Sequence, residues 1–212
     1  MLPRIASLLI GYLFGIIQSA YIYGKMHGID IRDHGSGNAG TTNALRVLGK
    51  KAGAIVFAVD FLKCFVAVYV VKLLFKNSAS EILPLIGLYG ATGCILGHNF
   101  PIQLKFRGGK GIACTAGLLA AFDIRIALIA LVTFLVVVFV TRYVSLGSIL
   151  VVTEFAVFTI IFGQKGFYHM AQGALMELYV LAIFLAVMAI YRHRANIGRL
   201  LSGTESKVFQ KK

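Results

Sequence analysis

Residues 100–111 read Phe-Pro-Ile-Gln-Leu-Lys-Phe-Arg-Gly-Gly-Lys-Gly and run directly into the apolar stretch Ile112–Phe122. The reading of this segment decides how often the chain crosses a membrane, and so on which side every later loop falls. Residues 112–122 alone are too short to cross a hydrocarbon core of about 30 Å. A helix started back near Phe106 reaches a length of roughly 25 Å, the lower limit for a span. The segment also carries Lys105, Arg107 and Lys110 among Gly108, Gly109 and Gly111. Glycines let backbone N–H groups converge on one point, and a helix start adds unpaired donors and the positive end of its dipole. Such a concavity ringed by lysines suits a phosphate oxyanion. The Walker A spacing is absent and no strand precedes the loop. A basic turn flanking a membrane accounts for the same residues, so the segment by itself leaves both readings open.

Working outward, the 212 residues are 58% hydrophobic and 14% charged, where a soluble domain is roughly 25% charged. So much apolar surface needs lipid, and we expect one integral membrane domain spanning 1–212. Cys64, Cys94 and Cys114 fall inside apolar runs with no framework or metal spacing, and read as small core residues. Trp is absent, leaving nine Tyr for the interfacial belt. The first apolar run passes into a polar block without a small-residue cleavage site, so it is expected to be retained. The net charge of +13 invites a nucleic-acid reading. The cations lie in loops between apolar runs rather than on one soluble face, so no nucleic-acid partner is expected.

The apolar runs are 5–24, 52–75, 82–99, 106–122, 126–141, 144–162 and 174–191. They predict an all-α, polytopic protein of about seven transmembrane helices. With the N-terminus outside, 15 of the 21 Lys and Arg fall in cytoplasmic segments: 25–51, 100–110, Arg142 and 192–212. Dropping the short fourth span throws the basic tail outside, against the positive-inside rule. The predicted topology is therefore N-terminus out and C-terminus in, with all three polar blocks on the cytoplasmic face. No strong internal repeat supports a transporter-like inverted architecture.

The first polar block reads Gly35-Ser36-Gly37-Asn38-Ala39-Gly40-Thr41-Thr42-Asn43-Ala44-Leu45-Arg46. Short hydroxyl and amide side chains supply many hydrogen bonds, and Arg46 can grip phosphate oxygens bidentately. Asn38 and Thr41 also suit helix caps or turns, and Ser36 a simple turn. A nucleophilic Ser36 would need an adjacent base and an orienting group, and no nucleophile-elbow motif is present. The last block is Arg192-His193-Arg194-Ala195-Asn196-Ile197-Gly198-Arg199, ending in Gly203-Thr204-Glu205. On a continuing helix His193 and Asn196 share a face that can bind an anion or shuttle a proton. The arginines alone fit a juxtamembrane anchor. Asp60 and Lys63 sit one turn apart inside a span and read mainly as a structural ion pair. Glu154 lies mid-span. His98 either caps the third span or touches substrate, and Ser145 and Ser148 bond either backbone or ligand. Five scattered histidines predict no metal site.

Together the three blocks, Ser36–Asn43 with Arg46, Gly97-His98-Asn99-Phe100-Pro101 through Arg107–Gly111, and Arg192–Ile197 with Gly203–Glu205, resemble the acyl-phosphate:glycerol-3-phosphate acyltransferase (PlsY) family of bacterial membranes. The resemblance covers essentially the whole chain. It implies acyl transfer from acyl phosphate to the sn-1 hydroxyl of glycerol 3-phosphate, giving lysophosphatidic acid and phosphate in the first step of phospholipid synthesis. It implies no cofactor, no metal and no obligate protein partner, with membrane lipid as the surroundings. The implied setting is the bacterial inner (cytoplasmic) membrane. By resemblance Ser36, Arg46, Lys110, His193 and Asn196 are catalytic, and Gly108, Gly109 and Gly111 belong to a glycerol-phosphate-binding loop. Asn38, Thr41, Asn43, His98, Lys105 and Ser145 are expected to contact substrate, and Glu205 to matter for structural integrity. The chain departs from the family pattern at Ser19–Gly24, where a Ser-Ile-Pro run is usual. It also departs at Cys64, in place of glycine, and at Ala195, in place of glutamate.

An acyl phosphate is already activated, so the protein need mainly align the hydroxyl and screen two phosphates. Backbone N–H groups of both loops, with Arg46 and Lys110, are expected to hold those phosphates. A substrate phosphate is the favoured acceptor of the hydroxyl proton, with His193 the alternative. An anion transporter and a non-catalytic membrane adaptor are the competing classes. The first predicts binding near mid-membrane, and the second leaves the Gly/Ser/Thr/Asn pattern unexplained.

Overall fold

The computed structural model describes residues 1–208. Lys211 and Lys212, counted above in the basic tail, lie outside the described residues. The elements are α1 (Leu2–Gly15), α2 (Ser19–Met26), α3 (Thr41–Phe75), α4 (Leu83–Asn99), α5 (Ile112–Phe122), α6 (Ile124–Thr141), α7 (Val144–Gln164), α8 (Gln172–Arg192) and α9 (Arg194–Leu201), with no strand among the described residues. Six segments are long and apolar enough to cross a membrane: 2–26, 41–75, 80–104, 124–141, 144–164 and 172–192. The remaining apolar helix, α5, has 11 residues and a length of about 16 Å. The expected extension of α5 back to Phe106 does not form. Lys105 and Phe106 take positive φ (53° and 61°), a left-handed turn that no helix can traverse. The chain divides into two compact units, 1–122 and 123–212.

In the first unit α1 packs on α4 through glycines. A Cβ on Gly11 would strike the Gly90 carbonyl, and one on Gly93 the Leu8 carbonyl. Small residues at such a crossing let backbones approach, which drives helix association where lipid removes the hydrophobic incentive. The first span is not continuous, because it breaks between Gly15 and Ser19. Side chains cap the broken end: Lys63 Nζ donates to Gly15 O (3.3 Å) and Ile17 O (2.6 Å). Gln18 Nε2 also donates to Gly15 O (3.2 Å), and Gln103 Nε2 to Ile16 O. The second span starts earlier than its apolar run, inside the polar block at Thr41. Gly49 (φ 88°, ψ −178°) then separates residues 41–48 from the long apolar part of α3. That conformation is open essentially to glycine alone.

In the second unit, Asp123 caps α6 by accepting the Arg125 N–H (3.0 Å) and pairs with the Arg125 guanidinium (2.6 Å). Arg125 stacks on Phe162 and Phe167, 4.7 and 4.3 Å from the ring centroids. Mid-span, Thr133 Oγ1 donates to Glu154 Oε1 (2.7 Å), joining α6 to α7. Leu128, Leu135, Phe139, Val180 and Val187 stand more than half exposed on α6 and α8. Outward apolar surface of this extent is the mark of helices solvated by lipid.

Candidate active site

The first polar block folds as a turn held from below by Asn43. This residue is 1% exposed. Its Nδ2 donates to Ile31 O (3.0 Å) and His34 O (2.9 Å), and its Oδ1 accepts the Ser36 N–H (2.8 Å). Both amide donors are used inside the loop, so Asn43 shapes the site rather than pointing out of it. A Cβ on Gly35 (φ 62°) would strike Asn43 Oδ1, which explains the glycine there. Ser36 is exposed at the tip, and Arg46 is exposed one turn along α3 from Asn43. The helix cap is Gly40, not Asn38 or Thr41. Asn38 is half-buried beside Gly40, and Thr41 Oγ1 is buried with no hydrogen-bond partner. At the loop entrance the Arg32 guanidinium grips Asp30 (2.7 and 2.9 Å) and holds its carboxyl down at a pKa of about 2.

The glycine loop lies directly over the end of α4. Gly108 N–H donates to Asn99 O (3.2 Å) and Gly109 N–H to His98 O (3.1 Å). These two amides are therefore engaged with the protein's own carbonyls, contrary to the expectation that they cradle phosphate. Of the loop's lysines, Lys110 is half-buried and Lys105 is exposed on its left-handed turn. Gly111 also has positive φ (82°), and a Cβ there would lie 2.9 Å from Asn99 Oδ1. A Cβ on Gly109 would meet His98 Nε2 and lie 2.8 Å from Ala39 O. The first and second polar blocks thus touch backbone to backbone at Gly109.

His98 is 3% exposed and does not reach outward as a substrate contact. It sits 2.9 Å from Lys63 Nζ through Nδ1, and Lys63 pairs with Asp60 at 2.7 Å. The ion pair expected from sequence is present and extends into a buried network. Although the histidines are scattered in sequence, ligand atoms of Asp60, His98 and Cys114 come within 4.8 Å of one another. The Lys63 ammonium stands among them, however, so the position already holds a cation. Sequence reading missed Gln18, whose Nε2 bonds Gly15 O, Gly97 O and His98 O. Its signal was a lone amide inside an apolar run.

In the second unit the last block does not continue α8. The helix ends at Arg192, His193 forms the junction, and α9 starts at Arg194. His193 is buried, and its Nδ1–H donates to Ala189 O (2.8 Å), leaving Nε2 the basic nitrogen of the neutral ring. Asn196 and Ser145 converge on one carboxylate oxygen. Asn196 Nδ2 donates to Glu205 Oε1 at 2.6 Å and Ser145 Oγ at 2.7 Å, while Arg199 Nε takes Oε2 at 2.6 Å. Burial opposes the Glu205 charge, but these three donors outweigh it and hold its pKa below the usual value.

A family model described as glycerol-3-phosphate acyltransferase matches residues 5–203. The chain is similar to the glycerol-3-phosphate acyltransferase of Thermoanaerobacter sp. (strain X514), 43% identical over 208 residues, covering 98% of this chain and 96% of the relative. It is also similar to that of Clostridioides difficile (strain 630), 44% identical over 205 residues, covering 96% and 94%. Among solved structures, PlsY (YgiH), an integral membrane glycerol 3-phosphate acyltransferase in its glycerol 3-phosphate form, superposes with a TM-score of 0.82. That match has 33% identity and covers 98% of this chain and 99% of that one. The lysophosphatidic acid form of the same protein gives a TM-score of 0.79.

Proposed function

The chain belongs to the glycerol-3-phosphate acyltransferase family, and from that premise we propose that it acylates the sn-1 hydroxyl of glycerol 3-phosphate with acyl phosphate as donor. The hydroxyl oxygen attacks the acyl carbonyl carbon, the bond from that carbon to the phosphate oxygen breaks, and lysophosphatidic acid and phosphate result. The hydroxyl proton passes to the departing phosphate. Arg46 and Lys110 neutralise the substrate phosphates, Ser36 hydrogen-bonds at the loop tip, and His193 and Asn196 orient the reacting groups. Asn43, Ser145 and Glu205 position these residues. In this reading the whole chain acts as one membrane domain of the bacterial inner membrane. Its N-terminus is outside, and the site faces the cytoplasm, where glycerol 3-phosphate is water-borne and the acyl donor lipid-borne.

The observation that carries the reading is the contact at Gly109, where the Ser36 loop and the glycine loop meet within a chain that matches the family along its length. Two anion-suited loops in contact favour a substrate pair that each bears phosphate. Purified protein in detergent, given glycerol 3-phosphate with acyl phosphate, acyl-CoA or acyl carrier protein, tests it. Equimolar phosphate and lysophosphatidic acid are expected from acyl phosphate alone, and turnover only with a thioester donor would refute it.

One observation favours His193 as the proton acceptor instead, namely its Nδ1–H bond to Ala189 O, which leaves Nε2 basic. If His193→Ala abolishes turnover, keeps both substrate affinities and is rescued by imidazole, His193 is the base. The topology is tested by labelling single cysteines placed at Lys76, Asp123 and Gly163. All three are expected to react from outside, a parity that requires α5 to cross together with the non-helical residues before it, since its 11 residues reach only about 16 Å.

A further inference from the structure

We propose that the first unit contains a monovalent-cation site whose resident ion is the Lys63 ammonium, and that this tethered cation holds the α1–α2 break and His98 in place beneath the glycine loop. Broken membrane helices present carbonyl oxygens that no longer bond within the helix, and such oxygens coordinate small cations where half-helices meet. Lys63 Nζ occupies that position. It lies 2.6 Å from Ile17 O, 2.7 Å from Asp60 Oδ1, 2.9 Å from His98 Nδ1 and 3.3 Å from Gly15 O. The three donors of the ammonium serve the two carbonyls and the ring nitrogen, and Asp60 Oδ1, in ion-pair range but accepting no hydrogen bond, completes the set as ligands surround an ion. Neutralising Asp60 alone would need only the pairing one turn away on α3. The carbonyls of Gly15 and Ile17 come from 48 and 46 residues earlier in the chain.

The ligand chemistry agrees. Asp60, His98 and Cys114 offer donor atoms within 4.8 Å of one another, an arrangement suited to a bound cation. Lys63 and Asp60 are 6% and 1% exposed, so the charge is sealed from water and cannot be replaced casually by solvent.

The site also reaches the proposed chemistry. Asp60 Oδ1 lies 3.5 Å from His98 Nδ1, but the Lys63 ammonium is nearer and can only donate, so Nδ1 is the acceptor and the ring proton sits on Nε2. Nε2 is the atom that a Cβ on Gly109 would strike. The His98 carbonyl accepts both the Gly109 N–H (3.1 Å) and Gln18 Nε2 (3.2 Å). Lys63 is thus a positioning residue, acting on the glycine loop through His98.

Lys63→Ala opens the cage, and thermal unfolding of the purified variant reads its occupancy without reference to acyl transfer. Ammonium, methylammonium or potassium is expected to raise its unfolding temperature saturably, with choline at equal ionic strength giving no such rise and the wild type not responding. The initial rate of the variant is expected to fall about 10- to 100-fold, as when an outer-shell partner is lost. It should recover with the same half-saturating concentration as the unfolding temperature. Lys63→Met, which fills the space without charge, should be impaired and not rescued. If the alanine variant folds only when prepared in ammonium, the proposal is supported; if it fails equally in ammonium and choline, the proposal is overturned. An alanine variant that responds to small cations no more than to choline overturns it, as does a methionine variant with wild-type unfolding and rate. A cation response without any acyl transfer would sink the functional reading and leave this site standing.

Discussion

Around the glycine loop of residues 1–122 the anchors are backbone carbonyls, glycine contacts and a sealed ion network. Around His193, in the unit beginning at Asp123, they are side chains gathered by one carboxylate, Glu205. Gly108 and Gly109 have protein atoms where a Cβ would stand, whereas Gly198 and Gly203 have nothing within 4 Å. The side chains of Lys63 and Asp60 are 3% and 1% exposed, while the Arg199 side chain bonded to Glu205 is 41% exposed. The glycine loop itself is therefore sensitive to shape, and the Glu205 cluster to charge. A single added methyl should harm one, and a single lost carboxylate the other.

The largest effect is expected at Gly109. Gly109→Ala drives a Cβ into His98 Nε2 and Ala39 O, and displacing both loops by a fraction of an ångström should lower kcat/KM by on the order of 10²-fold. Gly198→Ala, with open space around it, should leave turnover near wild type, and equal losses at the two positions would erase the contrast.

Next comes Glu205→Ala, which removes the acceptor for Ser145, Asn196 and Arg199. Chemical unfolding should show a loss of roughly 2–3 kcal/mol, the scale of hydrogen bonds to a charged group. Its pH dependence follows from the depressed pKa. The Glu205 contribution is full above the ordinary glutamate value of 4.5 and declines as pH falls below it. Asp30 contributes in the same direction, fully above 3.8 and lost as pH falls toward about 2. Glu205→Gln should remove the first part of the acid-induced drop in unfolding temperature and leave the second, and an unchanged profile would contradict the assignment.

A smaller effect is expected at Gly49, where nothing blocks a Cβ but φ is 88°. Gly49→Ala should lower stability by about 1–2 kcal/mol through backbone strain alone. The smallest is Thr133→Ala, which removes the Glu154 hydrogen bond. Such bonds within a membrane average about 0.6 kcal/mol, readable as a slight fall in unfolding temperature.

The long apolar helices were legible because hydropathy dominates the choice between water and lipid. The Asp60–Lys63 pair was legible because residues one turn apart must face each other. Local backbone sign was not. The left-handed turn at Lys105 and Phe106, which stops α5 from reaching back to Phe106, leaves no compositional trace in a lysine and a phenylalanine, and the positive φ of Gly111 then sets its start at Ile112. The break after Gly15 falls within an apolar run and is fixed by Lys63 and Gln103 from far along the chain. Residues 41–48 are helical inside a block that reads as loop, because the Asn43 contacts that settle it are tertiary. Glycine richness suggested amides turned toward phosphate, yet the carbonyls of His98 and Asn99 take those of Gly109 and Gly108. Glu205 stood out only by resemblance, since its three donors lie 60, 9 and 6 residues away.

With the Gly108 and Gly109 amides engaged, the Lys110 side chain is the chief cation of the glycine loop for a phosphate. Titration of glycerol 3-phosphate into detergent-solubilised protein, wild type against Lys110→Ala, tests this most directly. The predicted result is affinity weakened about ten- to a hundredfold, as for loss of a charge-assisted bond. Equal affinities in the two proteins would contradict it.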